Sequence, residues 1–225
     1  MDKFISLPND MKNIEIKDRL IYLVIKSHDN KKHECFPSLQ CVSKESGIGI
    51  KAIRDSIKRL KEAGYLTVNK KDGKNYYLFN SCKKFEPFSE EFLKRKDLSP
   101  TTKGYIAAIQ QYMIKDIEGV GKISYSNREL AKNINTSEFT VRKCNLELVK
   151  NNFLTTIKNI QKDLETGCLT ETKLFKLEEL GQAIIWKLKE HEDRLKYLED
   201  TVESQGQFIN KYLVQKEVKK TEFLI

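Results

Sequence analysis

Two groups of residues in this 225-residue chain have types and spacings that could do chemistry. His28, His33, Cys35 and Cys41 lie close together, and imidazole and thiolate are common metal ligands. Their order and spacing match no zinc pattern, however, so no metal site and no cofactor is expected. The chain has no GxxxxGK[ST] loop for nucleotide phosphates, no HxH pair and no recognisable nucleophile and base, so it is not expected to be an enzyme. Positive charge is the second group. Lys51, Arg54, Lys58 and Lys61 recur at steps of 3, 4 and 3 and would share one face of a helix, while Lys70, Lys71 and Lys74 crowd around Asp72-Gly73. Cations clustered this way suit a polyanion.

The bulk charge agrees. Lys and Arg number 41 against 32 Asp and Glu, for a net charge of +9. Residues 1–97 hold 21 basic and 14 acidic side chains, residues 98–178 hold 12 and 9, and residues 179–225 hold 8 and 9, so the excess sits in the first part of the chain. Five cysteines, Cys35, Cys41, Cys82, Cys144 and Cys168, form no CxxC pair and read as reduced thiols of a cytoplasmic protein. No run approaches the ~18–20 apolar residues of a membrane span, and MDKFISLPND lacks the apolar core of a secretory signal.

A gapless internal repeat supplies the elements that position these charges. Ser38–Leu66 and Ser126–Leu154 align at a constant offset of 88. Each has a small residue, a turn residue four later and a β-branched residue six after that: Ser43, Gly47, Ile53 in the first and Ala131, Asn135, Val141 in the second. The small residue permits a close crossing of helices, Gly or Asn accepts a left-handed turn, and the β-branched residue anchors the second helix, which is the spacing of a helix-turn-helix. In the first copy, FISLPNDM is an extended lead-in, and Leu20, Ile21, Val24 and Ile25 mark a helix over 18–26. Helices over 38–46 and 49–63 follow, the latter burying Ile50, Ile53, Ile57 and Leu60 and ending at Gly64. YLTVNK-KDGKN-YYLFN is then a hairpin. In the second copy a helix runs from Pro100-Thr101 through Lys115, KISYS is a short strand, Thr136 or Ser137 caps the third helix, and a longer, less basic hairpin turns around KDLETG. Residues 81–100, with Pro87 and Pro100, are expected to be a linker, with a short helix over 89–96 as the alternative.

Helix, helix, helix and basic hairpin is the winged-helix order. With its FISLPND lead-in, CFPS before the second helix and LKEAGYL closing the third, the first copy resembles the winged-helix domains of phage and plasmid proteins of low-GC bacteria. The resemblance implies that the third helix enters the major groove of double-stranded DNA while the wing follows the backbone. It makes Arg54 the base reader and Lys51, Lys58, Lys70, Lys71 and Lys74 mainly phosphate contacts. In the second copy it offers Ser137, Thr140, Arg142 and Lys143, with Glu138 and Asn145 beside them. Winged helices also serve as protein-binding modules, a role the less basic second copy could fill.

From residue 180 the pattern changes to heptads. Leu188, Leu195, Val202 and Ile209 take position a, and Ile184, His191, Leu198, Gln205 and Tyr212 take position d. Lys187 and Arg194 at g would face Glu192 and Glu199 at e of a parallel partner, so the segment predicts a parallel homodimer through 184–212, against the alternative of a helix folded back on its own chain. The expected fold class is mainly α with small β-hairpin wings: winged-helix domains at 1–80 and 101–178, a linker at 81–100, a coiled-coil dimerisation helix at 179–215 and a tail at 216–225. Three functions fit this plan. They are a dimeric, sequence-specific transcriptional regulator of a mobile element, a replication initiator, since tandem winged helices are what one large plasmid initiator family looks like, and an adaptor for a replication or segregation protein that acts through the coiled coil and tail.

Overall fold

The computed structural model describes residues 4–11, 14–30, 35–82, 84–115, 120–162, 169–176 and 201. The chain divides into two units, Met1–Ile185 and Trp186–Ile225, and every element below belongs to the first. The heptad residues Ile184, Leu188, Leu195, Leu198, Val202 and Ile209 lie outside the described residues.

The first winged helix is built around α1 (Ile16–Ser27). Leu20 to Ile25 form an unbroken apolar run, and all six are buried. A helix apolar all round must be covered all round. Strand β1 (Phe4–Pro8), helices α2 (Leu39–Ser46) and α3 (Ile50–Glu62), and α5 of the second copy (Pro100–Ile109) provide that cover. Arg19 is buried with them and donates to the carbonyls of Met11 and Ile14 at 2.6 and 2.5 Å, which holds the lead-in down. On α3 the buried residues are Ile53, Ser56 and Leu60, while Ile50 and Ile57 are half-buried, so the core stripe is narrower than the apolar spacing suggests. Strands β2 (Leu66–Lys71) and β3 (Lys74–Phe79) form the wing, closed by Asp72 and Gly73 at φ 50° and 71°. Positive φ at both central residues of a two-residue loop favours this Asp-Gly pair.

Residues 81–100 are more than a linker. They hold β4 (Phe85–Ser89), which pairs antiparallel with β1 from Phe4↔Ser89 to Pro8↔Phe85, and α4 (Glu90–Lys94). The buried rings of Phe88 and Phe92 lie 5.3 Å apart and give this stretch its own core contribution. Both prolines of the pair, Pro8 and Pro87, sit in a two-stranded ribbon, where each residue has only one neighbour to bond.

The second copy departs from expectation at its start. α5 stops at Ile109, a tight turn over Gln110–Tyr112 follows, and β5 (Ile114–Lys115) replaces the last helical turn expected there. β6 (Val120–Ile123), α6 (Asn127–Asn133), α7 (Glu138–Lys150), β7 (Leu154–Lys162) and β8 (Leu169–Lys176) complete it. Its sheet has the order β5-β6-β8-β7, so the wing hairpin is extended by two strands. Ser126 and Glu129 cap α6 reciprocally, and Ser137 caps α7 by accepting from the Thr140 amide. Asn135 and Asn152, at φ 53° and 61°, take the left-handed positions that Gly47 and Gly64 hold in the first copy.

A pair of equivalent residues fastens each third helix to the first helix of its copy. Arg59 of α3 grips Asp18 of α1, and Glu147 of α7, at the same offset of 88, accepts from Ser99 and Thr102 at the start of α5, the two hydroxyls at 2.7 Å each. Burial works to raise the Glu147 pKa, but the bonds from the Ser99 amide and the two hydroxyls outweigh it and hold the carboxyl below its ordinary value. A carboxyl depressed in the folded state contributes stability above its unfolded pKa of about 4.3 and loses that contribution as the pH falls through the folded value. Glu147→Gln is therefore expected to cost about 1–2 kcal/mol at pH 7, with the gap to wild type closing as the pH drops below about 4. Urea melts of both proteins across that range check it, and a pH-independent gap would mean that ionisation plays no part.

Candidate nucleic-acid interface

The outer face of α3 is cationic because its inner face is used up. Ile53, Ser56 and Leu60 point to the core and Arg59 turns back to Asp18, which leaves Lys51, Arg54, Lys58 and Lys61 exposed. Lys58 lies 3.9 Å from the exposed Glu62. Arg54 pairs with no carboxylate among the described residues, so its five N–H donors face an open cleft.

That cleft has a volume of about 500 Å³ and is formed by Arg54 and Ile50 of α3, the lead into α2 from Phe36, and the wing tip at Gly73 and Lys74. The wing is held in place from the α2 side. The Tyr77 amide donates to the Cys35 carbonyl at 2.7 Å, the Phe36 and Tyr76 rings lie 5.2 Å apart, and Lys74 Nζ sits 5.9 Å above the Phe36 ring. Lys70, Lys71 and Lys74 are all exposed around the tip. The structure thus brings Arg54 and Lys74, 20 positions apart, to one cleft, with Lys51 and Lys58 flanking Arg54 along the helix.

α7 presents a different surface. Ser137 and Thr140 are bonded to each other at 2.8 Å and serve the helix cap, Arg142 is held by Glu138 one turn earlier, and Asn145 turns inward to Tyr105 and Asn127. Lys143 alone of the four expected contacts is exposed without a hydrogen bond or ion pair among the described residues. Phe139 is 76% exposed, Leu146 71% and Val149 45%. These three apolar side chains lie on the outward face of α7, where α3 carries cations. Their spacing, 7 and 3, is legible in the sequence, where the repeat also aligns Arg142 with Arg54.

Residues 12–66, about a quarter of the chain, match the family model of a helix-turn-helix domain. A DNA-binding helix-turn-helix domain is present. It covers α1, α2 and α3 and ends where the wing begins, and domains of this kind are DNA-binding modules rather than catalysts. The comparison with curated proteins returned no relative. Among the described residues no helix is long and apolar enough to cross a membrane. Among the described residues Cys41, Cys82 and Cys144 form no disulfide, and burial pushes the Cys144 thiol up to about 11, which leaves it protonated and unreactive.

His28 and Cys41, unpromising by spacing alone, are brought together by the fold. His28 ends α1, Cys41 lies in the first turn of α2, and Glu45 completes the group one turn later.

Proposed function

We propose that this protein is a sequence-specific binder of double-stranded DNA that reads the major groove through α3, and that it acts as a dimeric transcriptional regulator. The observation that carries the reading is Arg54, free of carboxylates among the described residues and facing the same cleft as Lys74 of the wing. A guanidinium so placed can bond both acceptors of a guanine edge, while Lys51, Lys58, Lys70, Lys71 and Lys74 neutralise phosphates on either side. The heptads over 184–212 support a parallel dimer, which would pair two half-sites. The apolar face of α7 favours a protein contact for the second winged helix, so the adaptor reading attaches to that copy rather than to the whole chain.

Selection of bound duplexes from a random pool, followed by anisotropy titrations, tests this. Arg54→Ala should lose about 1–3 kcal/mol on the selected site and relax the preference at one base pair. Replacing Lys70, Lys71 and Lys74 together by alanine should weaken all sequences alike and reduce the slope of log affinity against log salt by about 2–3. Arg142→Ala should change either quantity little, because Glu138 already holds it. Equal binding of all duplexes at physiological salt would refute the reading.

A further inference from the structure

The group at the junction of α1 and α2 has the geometry of a metal site. His28 Nε2 lies 2.9 Å from Glu45 Oε2 and 3.8 Å from Cys41 Sγ, and Cys41 Sγ lies 3.4 Å from Glu45 Oε1. With zinc bonds of about 2.3 Å to sulfur, 2.1 Å to nitrogen and 2.0 Å to oxygen, tetrahedral angles require separations of about 3.6 Å for S to N, 3.5 Å for S to O and 3.4 Å for N to O. The sulfur–nitrogen and sulfur–oxygen separations are within about 0.2 Å of these values and the nitrogen–oxygen one is about 0.5 Å short; sulfur and nitrogen meet different oxygens of Glu45, so a rotation of that surface carboxylate presents one oxygen to both. Cys41 and Glu45 are four apart on one helix and so project side by side, and the C-terminus of α1 delivers His28 opposite them.

We propose that His28, Cys41 and Glu45 bind one divalent cation of the zinc class, with water in the fourth position. One sulfur, one nitrogen and one oxygen donor select a borderline-soft ion over Mg²⁺ or Ca²⁺, which take oxygen alone. The ring is reachable, His28 and Glu45 having side chains 31% and 44% exposed. Without the ion the same atoms form a hydrogen-bonded triad, in which the Cys41 thiol donates to Glu45. Coordination releases that proton to solvent, and thiolate and carboxylate then cancel the charge of the dication. A neutral filled site is tolerated beside Lys44, Lys94 and Arg95, which line the adjacent opening and would repel a bare cation. The fold does not need the triad. At the offset of 88 the second copy has Glu129 and Asn133 in place of Cys41 and Glu45, and builds the same helix with a capping box. A cation here would tie the end of α1 to the helix before the turn, independently of any DNA contact.

Co²⁺ and Zn²⁺ titrations of the full chain under a thiol-free reductant test this. The expected result is one Co²⁺ per chain with a thiolate-to-cobalt charge-transfer band that is lost in Cys41→Ser and kept in Cys82→Ser. Zn²⁺ should displace the cobalt, and His28→Gln and Glu45→Gln should each weaken Zn²⁺ at least about tenfold. Zn²⁺ should also raise the melting temperature of wild type and Cys82→Ser but not of Cys41→Ser. Circular dichroism of the metal-free variants establishes that they are folded, and should Cys41→Ser fail there, Glu45→Gln, which preserves shape, carries the comparison. A charge-transfer band that survives Cys41→Ser, Zn²⁺ affinity unchanged in Glu45→Gln, or no saturable binding at micromolar Zn²⁺ overturns the proposal.

Discussion

Replacing Arg59 by alanine is expected to lower the stability of the chain by about 2–4 kcal/mol, mostly through what it leaves behind. Asp18 is completely buried on α1, and each of its carboxylate oxygens accepts from Arg59, Oδ2 from Nε at 2.8 Å and Oδ1 from Nη2 at 2.7 Å. The hydrogen bond to Asp18 also raises the Arg59 pKa, so the guanidinium stays charged throughout the working pH range. Removing it strands a carboxylate among apolar neighbours. The cost falls somewhat below that of a wholly buried pair because the Arg59 side chain is 30% exposed and water can approach. Arg59→Lys should recover part of the loss, since an ammonium cannot reproduce the two-pronged grip. The double variant Asp18→Asn, Arg59→Met should be more stable than Arg59→Ala, because it leaves no stranded charge. Denaturant melts of the four proteins at pH 7 give the comparison, and a single-variant loss under about 0.5 kcal/mol would show the clamp to be idle. Arg59 also ties α3, which carries the exposed cations, to α1. Its loss should therefore weaken DNA binding along with stability, whereas Arg54→Ala should leave stability unchanged.

The repeat at offset 88 carries further than the helix-turn-helix it first marks. Ser38 and Ser126 cap the second helices, α3 and α7 begin and end at matching positions, and Gly64 and Asn152 close both with the same left-handed residue. These features depend on residue type within a few positions, and for that reason they can be read along the chain. The clamp could not. Position 59 is Arg and position 147 is Glu, and only the fold shows that opposite charges do one job by finding Asp18 in one copy and two hydroxyls in the other. The pairing of β1 with β4 joins residues some 80 apart, and the mixed charges and Pro87 around it have the composition of a connector. The cations of α3 were visible by helical spacing, but the cleft they share with Lys74 depends on the way Phe36 and Tyr76 hold the wing. On α7 the aligned Arg142 points to a second reading helix, while the exposed Phe139, Leu146 and Val149 make the outward face of that helix apolar.

Gly104→Ala should destabilise the protein by about 2–4 kcal/mol, even though alanine is the better helix former by about 1 kcal/mol. α5 crosses α1 at this glycine. A Cβ there would overlap the Ile16 carbonyl oxygen, lie 2.9 Å from its carbon and reach within 3.4 Å of the Lys17 nitrogen. These are backbone atoms and cannot rotate aside as a side chain would. Relief requires α1 and α5 to separate, and both helices are buried along almost their full length, Leu20 to Ile25 on one and Thr102 to Ile109 on the other. Parting them opens the core that the two copies share. At this chain length each kcal/mol moves the midpoint by about 2–4 °C, so a fall on the order of 10 °C is expected in a thermal melt. Gly49→Ser is the matched control. A Cβ at Gly49 meets nothing within 4 Å, its φ is −67°, and the equivalent position 137 already carries serine as the α7 cap. That change should be neutral or stabilising by a few tenths of a kcal/mol. If Gly104→Ala melts at the wild-type temperature while hydrogen exchange in α1 and α5 is unchanged, the crossing has slack, and the union of the two winged helices must rest on contacts other than this close approach.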